Sequence, residues 1–450
     1  MKTLYKIKKG LDLNLKGEAS LELQVLPVEG VYAIKPTDFP GIVPRTVVRE
    51  GDTVKVGDAL FVDKATERIK FVSPVSGKVV GVDRGDRRKL LRFRVEADKV
   101  QQFKEFEMKH IKEMSAEDMK TLMLESGLFA FFRQRPYDVI ASPTDTPKAI
   151  FVSAFSKMPL ASKFSFVAEG QEDDFKEGIR ALAKIAKVNL GICPAQINSN
   201  LLPISEAEVS VFDGPNPSGN VGVHINRVNP VNKGEVVWTL GSEIVIMLGR
   251  LFRTGKVQMT RRIAVAGSMI REPKYVETLV GTSLQTVLAN QLLATEHVRV
   301  INGNPLVGYR SSVEDYLGAF STEICAIPEG DDVNEPFGWI ALRLNDFSTS
   351  RSYFSWLLGK NRSYDLDCRI KGGERKMIMS AEYERVFPMD IYASYLIKAI
   401  ITGDIDRQEA LGIYEVAPED FAVAEFIDSS KLELQRIVRE GLEILRKENA

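Results

Sequence analysis

Residues Val47 to Gly77 read V-V-R-E-G-D-T-V-K-V-G-D-A-L-F-V-D-K-A-T-E-R-I-K-F-V-S-P-V-S-G. Gly51-Asp52 and Gly57-Asp58 predict tight turns, because glycine adopts positive φ at little steric cost. Apolar residues alternate with polar ones around these turns, as they do in short strands with one buried face. The predicted inward positions are Val54, Val56, Leu60 and Val62. The stretch therefore predicts a flattened β-barrel, whose return half starts at Ser73-Pro74.

This predicted barrel resembles the domains that carry biotin or lipoyl groups on a lysine at a hairpin tip. Counted back from Pro74, the tip position falls on Thr66, and Lys64 lies two residues out of register. No Met-Lys-Met sequence occurs there. Because an attached group needs its lysine at the exposed tip, the sequence predicts the carrier fold without the carrier chemistry.

Composition limits the remaining function classes. The chain has 450 residues, of which 44% are hydrophobic and 27% charged, as expected for a soluble protein of about three domains. Sixty basic residues stand against 61 acidic ones. A nucleic-acid partner is not expected from this balance, because such proteins carry a basic excess. The basic run from Arg84 to Arg94 is predicted to be a solvated hairpin.

Targeting and metal motifs are not found. Met1-Lys2-Thr3 leads into a charged segment and predicts no signal peptide. The longest uncharged stretch, Thr278 to Thr295, contains too many polar residues to cross a bilayer. The three cysteines show no C-x-x-C spacing and the three histidines no H-E-x-x-H, so neither a bound metal nor an iron–sulfur cluster is expected. A cytosolic protein, or one peripheral on a membrane complex, is predicted.

The sequence predicts an α/β multidomain fold. Its parts are a carrier-like barrel-sandwich domain (1–100), a Rossmann-like α/β domain (101–256), a β-grasp domain of SLBB type (257–330) and a mainly helical C-terminal domain (331–450). Apolar strands near 148–153, 188–193 and 208–212 alternate with helical periodicity, which favours a parallel sheet. A charged helical linker is predicted from Gln101 to about Ser126. In the tail, apolar positions from Leu434 to Leu445 predict one amphipathic helix.

A Gly/Pro-rich loop, Asp213 to Arg227, follows the third of these strands. Open α/β sheets bind ligands at this position. The loop lacks both G-x-G-x-x-G and the P-loop lysine, so the motif does not predict a dinucleotide or nucleoside triphosphate. A purely structural loop is at least as well supported by the motif as a binding site.

The order of these parts resembles RnfC, an electron-input protein, and the flavin-bearing NADH-oxidising component of respiratory complex I. Nearly the full length carries further motifs, at Ile7–Asp12, Asp38–Pro44, Gly214–Gly222, Glu384–Asp390 and Gly403-Asp404. In these motifs the chain is most similar to the NqrA family of the Na⁺-translocating NADH:quinone reductases.

The resemblance implies a role in a translocase that oxidises NADH, reduces ubiquinone and exports Na⁺. The chain is then a peripheral subunit on the cytoplasmic face of the bacterial inner membrane, and its partners are the other subunits of the complex. Flavins and iron–sulfur centres are expected on those partners, with no redox cofactor here and no activity in the isolated chain. Its part is expected at the quinone-reducing end or in assembly.

Three departures bear on this expectation. Relatives often place His in the Gly/Pro loop where this chain has Asn216 and Asn226. Residues 419–428 occupy the place of a cluster-binding cysteine run in the RnfC and complex I relatives, and contain Ala, Glu and Asp but no Cys, so a thiolate cage is not expected. The Gly-rich flavin run of those relatives is also missing.

No catalytic residues and no metal ligands are predicted. A quinone needs an apolar slot with a few polar groups at its carbonyls. Such a slot is sought next to Pro40 and Ile42 or along the Gly/Pro loop, and the candidate quinone-binding residues are Tyr32, Phe39, Gly41, Gly214, Gly219 and Gly222.

Three alternatives stay open. An RnfC-like subunit that binds flavin and NADH itself would show a flavin absorption band when purified. A biotinyl or lipoyl carrier would show a mass above that of the unmodified chain. A ligand-free scaffold that holds the peripheral domains together is not separated from the favoured function by the sequence.

Overall fold

The structure is a computed structural model that describes residues 2–107, 111–335, 340, 343–344, 346–351, 353–359 and 362–449. The strands are β1 Thr3–Lys6, β2 Ser20–Val25, β3 Val31–Ile34, β4 Pro44–Thr46, β5 Thr53–Val54, β6 Ala59–Asp63, β7 Lys70–Val72, β8 Gly77–Arg84, β9 Leu90–Ala97, β10 Arg133–Arg135, β11 Val139–Ile140, β12 Ile150–Ser153, β13 Val188–Ile192, β14 Ala207–Asp213, β15 Val237–Gly241, β16 Thr260–Ala266, β17 Lys274–Leu279, β18 Val298–Asn302, β19 Tyr309–Ser311 and β20 Glu323–Pro328. The helices are α1 Ala116–Glu125, α2 Phe164–Val167, α3 Glu172–Ala183, α4 Val221–Val228, α5 Ser242–Thr254, α6 Leu284–Val287, α7 Tyr383–Val386, α8 Ala393–Ile401, α9 Ile405–Ala410, α10 Ala422–Ile427 and α11 Leu434–Glu448.

Two small antiparallel sheets, β3-β9-β8-β5 and β4-β6-β7, form the predicted barrel. The turn prediction is confirmed: Gly51 and Gly57 have φ of 96° and 92°. The carboxylates of Asp52 and Asp58 accept the backbone N–H groups of residues 49 and 55, at 2.7 and 2.8 Å. These aspartates therefore complete turns, while the four predicted inward side chains are buried.

The tip of the β6–β7 hairpin is closed by an aspartate. Asp63 accepts the backbone N–H of Thr66 and that of Val43, both at 2.9 Å. Lys64 is exposed beside this turn and Thr66 is half-buried. The tip is thus a self-contained turn with threonine at the position that a carrier domain gives to its lysine.

The largest sheet has the order β1-β14-β13-β12-β15-β10-β11. From β1 to β15 the strands are parallel, and β10 and β11 are antiparallel additions. Helices α3 and α5 bury their apolar sides on one face, and α4 packs on the other. This is the predicted α/β architecture, with a mixed sheet. Along the chain the order runs outward from β12 to β13 and β14, and then jumps to β15 on the opposite side.

A six-stranded sheet, β19-β18-β20-β16-β17-β2, forms a further layer. Its edge strand β2 comes from the start of the chain and runs parallel to β17. Strand β1 similarly joins the large sheet as the parallel neighbour of β14. The first 25 residues therefore complete sheets that are built by segments far along the chain.

The prediction of one helical linker from Gln101 to about Ser126 is wrong. Residues Phe103 and Glu105 form single β-bridges, to Val56 and Lys256 respectively. Helix α1 begins only after Ser115, whose hydroxyl accepts the backbone N–H of residue 118 in a capping box. The capping residue Ser115 therefore sets the start of the helix, and Met108, within the predicted linker, lies outside the described residues.

The C-terminal region has its own core, made by α7, α8, α10 and α11. The predicted tail helix is confirmed as α11, whose Leu434, Val438, Leu442 and Leu445 are fully buried. Within the described ranges, no helix has the length and apolarity that crossing a bilayer requires.

Candidate functional site at the strand switch point

A cavity of about 570 Å³ opens at the carboxyl ends of β12 and β15. These parallel neighbours are the strands between which the chain order reverses, and open α/β sheets bind ligands at such a switch point. Ser153 and Gly241, at the two strand ends, line the cavity. Residues from the six-stranded sheet and from the C-terminal region close its other sides. We call it the switch-point cavity.

Two helices begin at this cavity, α4 after Asn220 and α5 after Gly241. Neither N-cap residue hydrogen-bonds its helix through a side chain. The first N–H groups of a helix have no intrahelical partner, and the helix dipole makes this end positive. The 13-residue helix α5 therefore presents donors to the cavity next to Ser242.

The start of α4 already faces an acidic group of the chain. The carboxylate of Asp420 lies so close to Gly222 that a Cβ there would be 2.5 Å from both of its oxygens. One oxygen accepts the backbone N–H of Ala417 at 2.9 Å, and the other has no hydrogen-bond partner among the described residues. Burial raises the pKa of Asp420 to about 7, and the neighbouring Glu419 adds to this effect.

A buried ion pair lies at the side of the cavity next to the six-stranded sheet. Arg261 is 4% exposed and Glu243 is 6% exposed, with Nε and Oε2 3.1 Å apart. The Nη1 of Arg261 also donates to the carbonyl oxygens of Ala319 and Ser321, each at 3.0 Å. Burial nevertheless raises the pKa of Glu243 to about 7. This carboxyl therefore keeps its proton to a higher pH than an exposed glutamate does.

A second buried pair lies at the side next to the C-terminal region. Arg135 binds Asp138, and the side chain of Asp138 is also 2.7 Å from Arg439 and 3.5 Å from Arg133. We call these four residues the guanidinium cluster. Burial alone would raise the pKa of Asp138, but the three guanidinium groups outweigh it and hold that pKa below its usual value. Asp138 is therefore ionised at neutral pH.

Aromatic rings form an apolar wall between the charged groups. Phe131 and Phe320 line the cavity with ring centroids 5.6 Å apart, and the guanidinium of Arg133 lies 4.4 Å from the Phe320 centroid. Phe155 and Phe164 line it from the large sheet. The wall suits a flat apolar ring, with cations at its margin.

A polar group at the outer rim faces the same space. Tyr309 and Asp38 both line the cavity. Lys35 donates to the Tyr309 hydroxyl at 2.9 Å and to Asp315 at 3.3 Å. Burial raises the pKa of Asp38, whose carboxylate accepts the N–H of Ala319 at 2.8 Å.

Two of the sequence-predicted quinone residues lie at this site. Gly219 lines the cavity, and a Cβ there would be 3.0 Å from the Phe155 carbonyl oxygen. Phe39 lies one layer behind, with its ring centroid 5.9 Å from that of Phe131 and 5.6 Å from that of Phe320. The first of them therefore borders the space, and the second supports its aromatic wall.

The other four lie in close packing outside the cavity lining. Gly214 lies against the Ile7 carbonyl and Gly222 against the Asp420 carboxylate. Gly41 lies against Val139, where a Cβ would be 2.6 Å from the valine Cβ. Tyr32 is buried and forms a single β-bridge to residue 282. The structure does not bring these four together.

Sequence reasoning missed the charged residues of the cavity. Arg135 and Arg439 are about 300 positions apart, and nothing in one sequence connects them. A local signal did exist at Gly241-Ser242, where an apolar strand passes directly into an apolar helix. That junction predicts an uncapped helix start at a strand end, which is how α/β sheets present donors to ligands.

Two positions at which this chain lacks the Cys or His of its expected relatives have structural roles. Asp428, in the stretch without cysteines, accepts from the Tyr383 hydroxyl at 2.9 Å and from the backbone N–H of Leu432 at 2.7 Å. Asn226 donates to Glu415 at 2.9 Å. Among the described residues, the exposed group His297, Asp331 and Asp332 places three ligand atoms within 4.8 Å of one another. Exposed groups of this kind are common without an ion and assign no metal.

Models of three domain families match the chain. They are the NqrA N-terminal barrel-sandwich hybrid domain over residues 5–98, the NqrA second alpha/beta domain over 114–257 and the NQRA C-terminal domain over 262–312. A solved NAD⁺-reducing NiFe-hydrogenase in the H₂-reduced state covers 48% of each chain at 12% identity, with a TM-score of 0.34. That likeness is too low to carry an argument.

Curated relatives match over nearly the whole length, and each is named as the A subunit of a Na(+)-translocating NADH-quinone reductase. The protein of Photorhabdus laumondii is 34% identical over 99% of this chain and 100% of its own. That of Neisseria meningitidis serogroup B is 33% identical over 99% and 100%. That of Vibrio vulnificus is 34% identical over 98% and 99%. The chain belongs to the NqrA family of the Na⁺-translocating NADH-quinone reductases.

Proposed function

We propose that the chain is the peripheral NqrA subunit of a Na⁺-translocating NADH:ubiquinone reductase on the cytoplasmic face of a bacterial inner membrane. We further propose that its switch-point cavity receives the quinone headgroup. The full-length match to relatives that carry the NqrA role by name supports the first part. The observation that carries the second is the uncapped start of α5 beside an aromatic wall in one cavity.

The chemistry of a quinone fits this arrangement. Its flat ring is apolar and packs between aromatic side chains such as Phe131 and Phe320. Its two carbonyl oxygens carry partial negative charge and accept hydrogen bonds. The first N–H groups of α5 supply donors at one end, and Arg133 and Arg439 supply donors at the other. Gly219, without a side chain, keeps the space between them open.

Electron transfer needs groups that this proposal places on partner subunits. Flavins and iron–sulfur centres belong to those partners, and this chain binds or positions the quinone. The isolated chain is therefore expected to bind quinone and to show no NADH oxidation.

Quinone binding is tested on the purified chain by titration with a short-chain ubiquinone, followed by intrinsic tryptophan fluorescence and by equilibrium dialysis. Ser242→Phe places a ring into the cavity and is expected to weaken binding at least about ten-fold, a loss of about 1.4 kcal/mol. The matched control is Ser205→Phe, at an exposed serine outside the cavity lining. Equal affinity for wild type and Ser242→Phe would refute the cavity as the quinone site.

Membership in the complex is tested separately by affinity purification of the tagged chain from gently solubilised membranes. Co-elution of membrane subunits, with NADH oxidation that quinone supports and Na⁺ stimulates, is the expected result. Recovery of the chain alone from an intact preparation would contradict it.

A second candidate is an RnfC-like subunit that binds flavin or NADH in the same cavity. The specific observation is that the start of α5 and the guanidinium cluster border one space, an arrangement that suits phosphate groups. A flavin absorption band in the purified chain, or NADH binding that Ser242→Phe abolishes, would favour this candidate. A chain that binds none of the three ligands but co-elutes with the complex would be a scaffold.

A further inference from the structure

Quinone reduction consumes protons as well as electrons. Two electrons and two protons convert the two carbonyl oxygens of the ring into hydroxyl groups. The curated relatives are subunits of reductases named for NADH, which is the source of the electrons. The protons must reach the ring inside the switch-point cavity, and a lining side chain that carries an exchangeable proton is suited to deliver one.

Most charged side chains that line the cavity are unsuited to this task. Guanidinium groups do not release a proton at physiological pH. Asp138 is ionised within the guanidinium cluster and has no proton to give. At the outer rim, burial raises the pKa of Tyr309, so its hydroxyl keeps its proton, and the carboxylate of Asp38 accepts a backbone N–H at 2.8 Å. Glu419, next to the C-terminal region, has a side chain that is 38% exposed.

Two buried acids, Glu243 and Glu323, line the cavity next to the six-stranded sheet. Glu323 uses both of its oxygens as acceptors. They accept hydrogen bonds from the Thr322 hydroxyl at 2.6 Å, from the Ser162 backbone N–H at 3.2 Å and from the Asn304 amide at 3.2 Å. This carboxyl is therefore arranged to accept hydrogen bonds and not to donate a proton.

The carboxyl of Glu243 is held at one oxygen only. Its Oε2 accepts from the Nε of Arg261 at 3.1 Å, and no described residue hydrogen-bonds its Oε1. Glu243 is also the second residue of α5, directly after Ser242. The carboxyl therefore belongs to the helix turn whose first N–H groups are proposed above to hold a quinone carbonyl oxygen.

Resting on the proposed quinone site, we propose that Glu243 is the proton donor to the quinone oxygen held by the start of α5. Oε1 carries the proton, and Arg261 fixes the position of the group through Oε2. Quinone is thereby reduced beside an acid that is already part of its binding site.

The charges around Glu243 suit a proton donor. Burial raises its pKa to about 7, which Arg261 from β16 and Arg250 from α5 oppose and Glu323 from β20 reinforces. Once the proton has left, Arg261 stabilises the carboxylate, and this guanidinium is itself held by two backbone carbonyl oxygens at 3.0 Å. A general acid needs both properties, a proton to give near neutral pH and a stabilised conjugate base.

The step balances as follows. Electrons from NADH arrive through the partner subunits and make the quinone oxygens basic. The O–H bond of Glu243 breaks, a new O–H bond forms on the nearby quinone oxygen, and the electron pair stays on the carboxylate beside Arg261. The second quinone oxygen takes its proton from water at the opening of the cavity. Glu243 regains a proton from water after the quinol has left.

The test uses the reductase complex purified with Glu243→Gln in this chain. Glutamine keeps the shape of the side chain but carries no acidic proton. We expect kcat for quinone reduction to fall at least about 100-fold, while KM stays within about two-fold of the wild-type value. Rates are normalised to NADH oxidation with ferricyanide, an acceptor that takes electrons without protons, so that losses of assembly are removed.

The pH profile separates a proton donor from a structural residue. In the wild type, the rate of quinone reduction relative to that of ferricyanide reduction is expected to fall as the pH rises through about 7, because Glu243 loses its proton. This decline is expected to be absent in Glu243→Gln. Glu243→Asp restores a carboxyl and is expected to recover part of the lost rate together with the decline.

The matched control is Glu277→Gln. Glu277 lies outside the cavity lining, and its Oε2 is 2.9 Å from the Nε of Arg262. The substitution removes the same charge and also breaks an arginine pair. Wild-type kcat and a wild-type pH profile are expected.

Glu243→Gln that reduces quinone at the wild-type rate, with the wild-type decline, would overturn the proton-donor role. So would a loss of quinone binding in both Glu243→Gln and Glu243→Asp, which would assign the residue to binding. If Glu243→Gln does not assemble, a wild-type profile without the decline would overturn the role by itself. Failure of the proposed function is distinguishable, because it appears as a wild-type chain that does not bind quinone in the titration.

Discussion

The two buried ion pairs of the switch-point cavity are equally hidden from water and yet differ in charge state. Asp138 is 3% exposed and Glu243 is 6% exposed. Asp138 is surrounded by three guanidinium groups, which hold its pKa below the usual value. Glu243 has Arg261 as its ion-pair partner, and burial raises its pKa to about 7.

Burial alone therefore does not decide whether an acidic group in this cavity is charged. The penalty for moving a carboxylate out of water acts on both sides, so the neighbouring charges decide the outcome. Three guanidinium groups lower the pKa of Asp138, whereas at Glu243 the like charge of Glu323 opposes the effect of Arg261 and Arg250. As a result, one side of the cavity keeps a fixed negative charge within a positive cluster. The other side gains or loses a proton near neutral pH.

The largest expected effect comes from removing the central cation of the guanidinium cluster. Arg135→Met leaves Asp138 buried without its nearest partner, and breaking a buried pair in this way costs about 3–5 kcal/mol of unfolding free energy. Urea titration at pH 7 measures the loss. The control is Arg133→Met, whose side chain is 30% exposed and 3.5 Å from the same carboxylate, with an expected loss of about 1 kcal/mol or less. Equal losses in both variants would show that the burial of the cation does not matter here.

A pH titration of stability distinguishes the two carboxyl groups directly. The folded-state pKa of Glu243 lies above its usual value of about 4.3, so the stability linked to its protonated form is complete below pH 4. That stability is lost as the pH rises to about 7. Relative to Glu243→Gln, the wild type is therefore expected to lose roughly 2–4 kcal/mol across this interval.

Asp138 is expected to behave in the opposite way. Its folded-state pKa is lowered, so its contribution is present above about pH 4 and is lost as the pH falls further. Unfolding free energies of wild type and Asp138→Asn, measured from pH 3 to pH 8, test this. Parallel pH profiles for the Glu243→Gln and Asp138→Asn differences would contradict the assigned protonation states.

The smallest expected effect is at the edge of the cluster. Arg439→Gln removes one of the three cations, but this side chain is 28% exposed and water replaces part of its interaction. The expected loss is about 1 kcal/mol at pH 7. A loss larger than that of Arg135→Met would mean that Arg439 and not Arg135 is the principal partner of Asp138. Thermal unfolding of the two variants side by side distinguishes these outcomes.

The parts of the fold that follow from the sequence are those with local signals. Gly51 and Gly57 have positive φ, and the aspartates that follow them close turns within three residues. The signals that predict the barrel therefore lie within one short stretch of the sequence. The apolar spacing of α11 likewise needs no distant partner. The linker prediction failed because the helical spacing from Gln101 competes with an extended pairing of Phe103 to Val56, which no local pattern shows.

Only the location of the candidate site within the fold could be predicted from the sequence. The Gly/Pro loop after β14 was recognised as a place where α/β sheets bind ligands, and Gly219 of that loop lines the cavity. The charged residues were not recognised, because Arg135 meets Arg439 and Glu243 meets Arg261 only after distant segments have packed. Burial, which sets the pKa of Glu243, is likewise a property of the folded chain.

The pairing of β1 with β14 bears on how the chain is synthesised. Thr3 lies beside Ser210 in the large sheet, so the first strand leaves the ribosome about 200 residues before its partner exists. Domains usually form during translation from the N-terminal side. Here the barrel can form early, while β1 remains unpaired until β14 has been synthesised. A fusion partner placed directly before residue 3 would then interfere with the last step of folding, the pairing of β1 with β14, and not with the first.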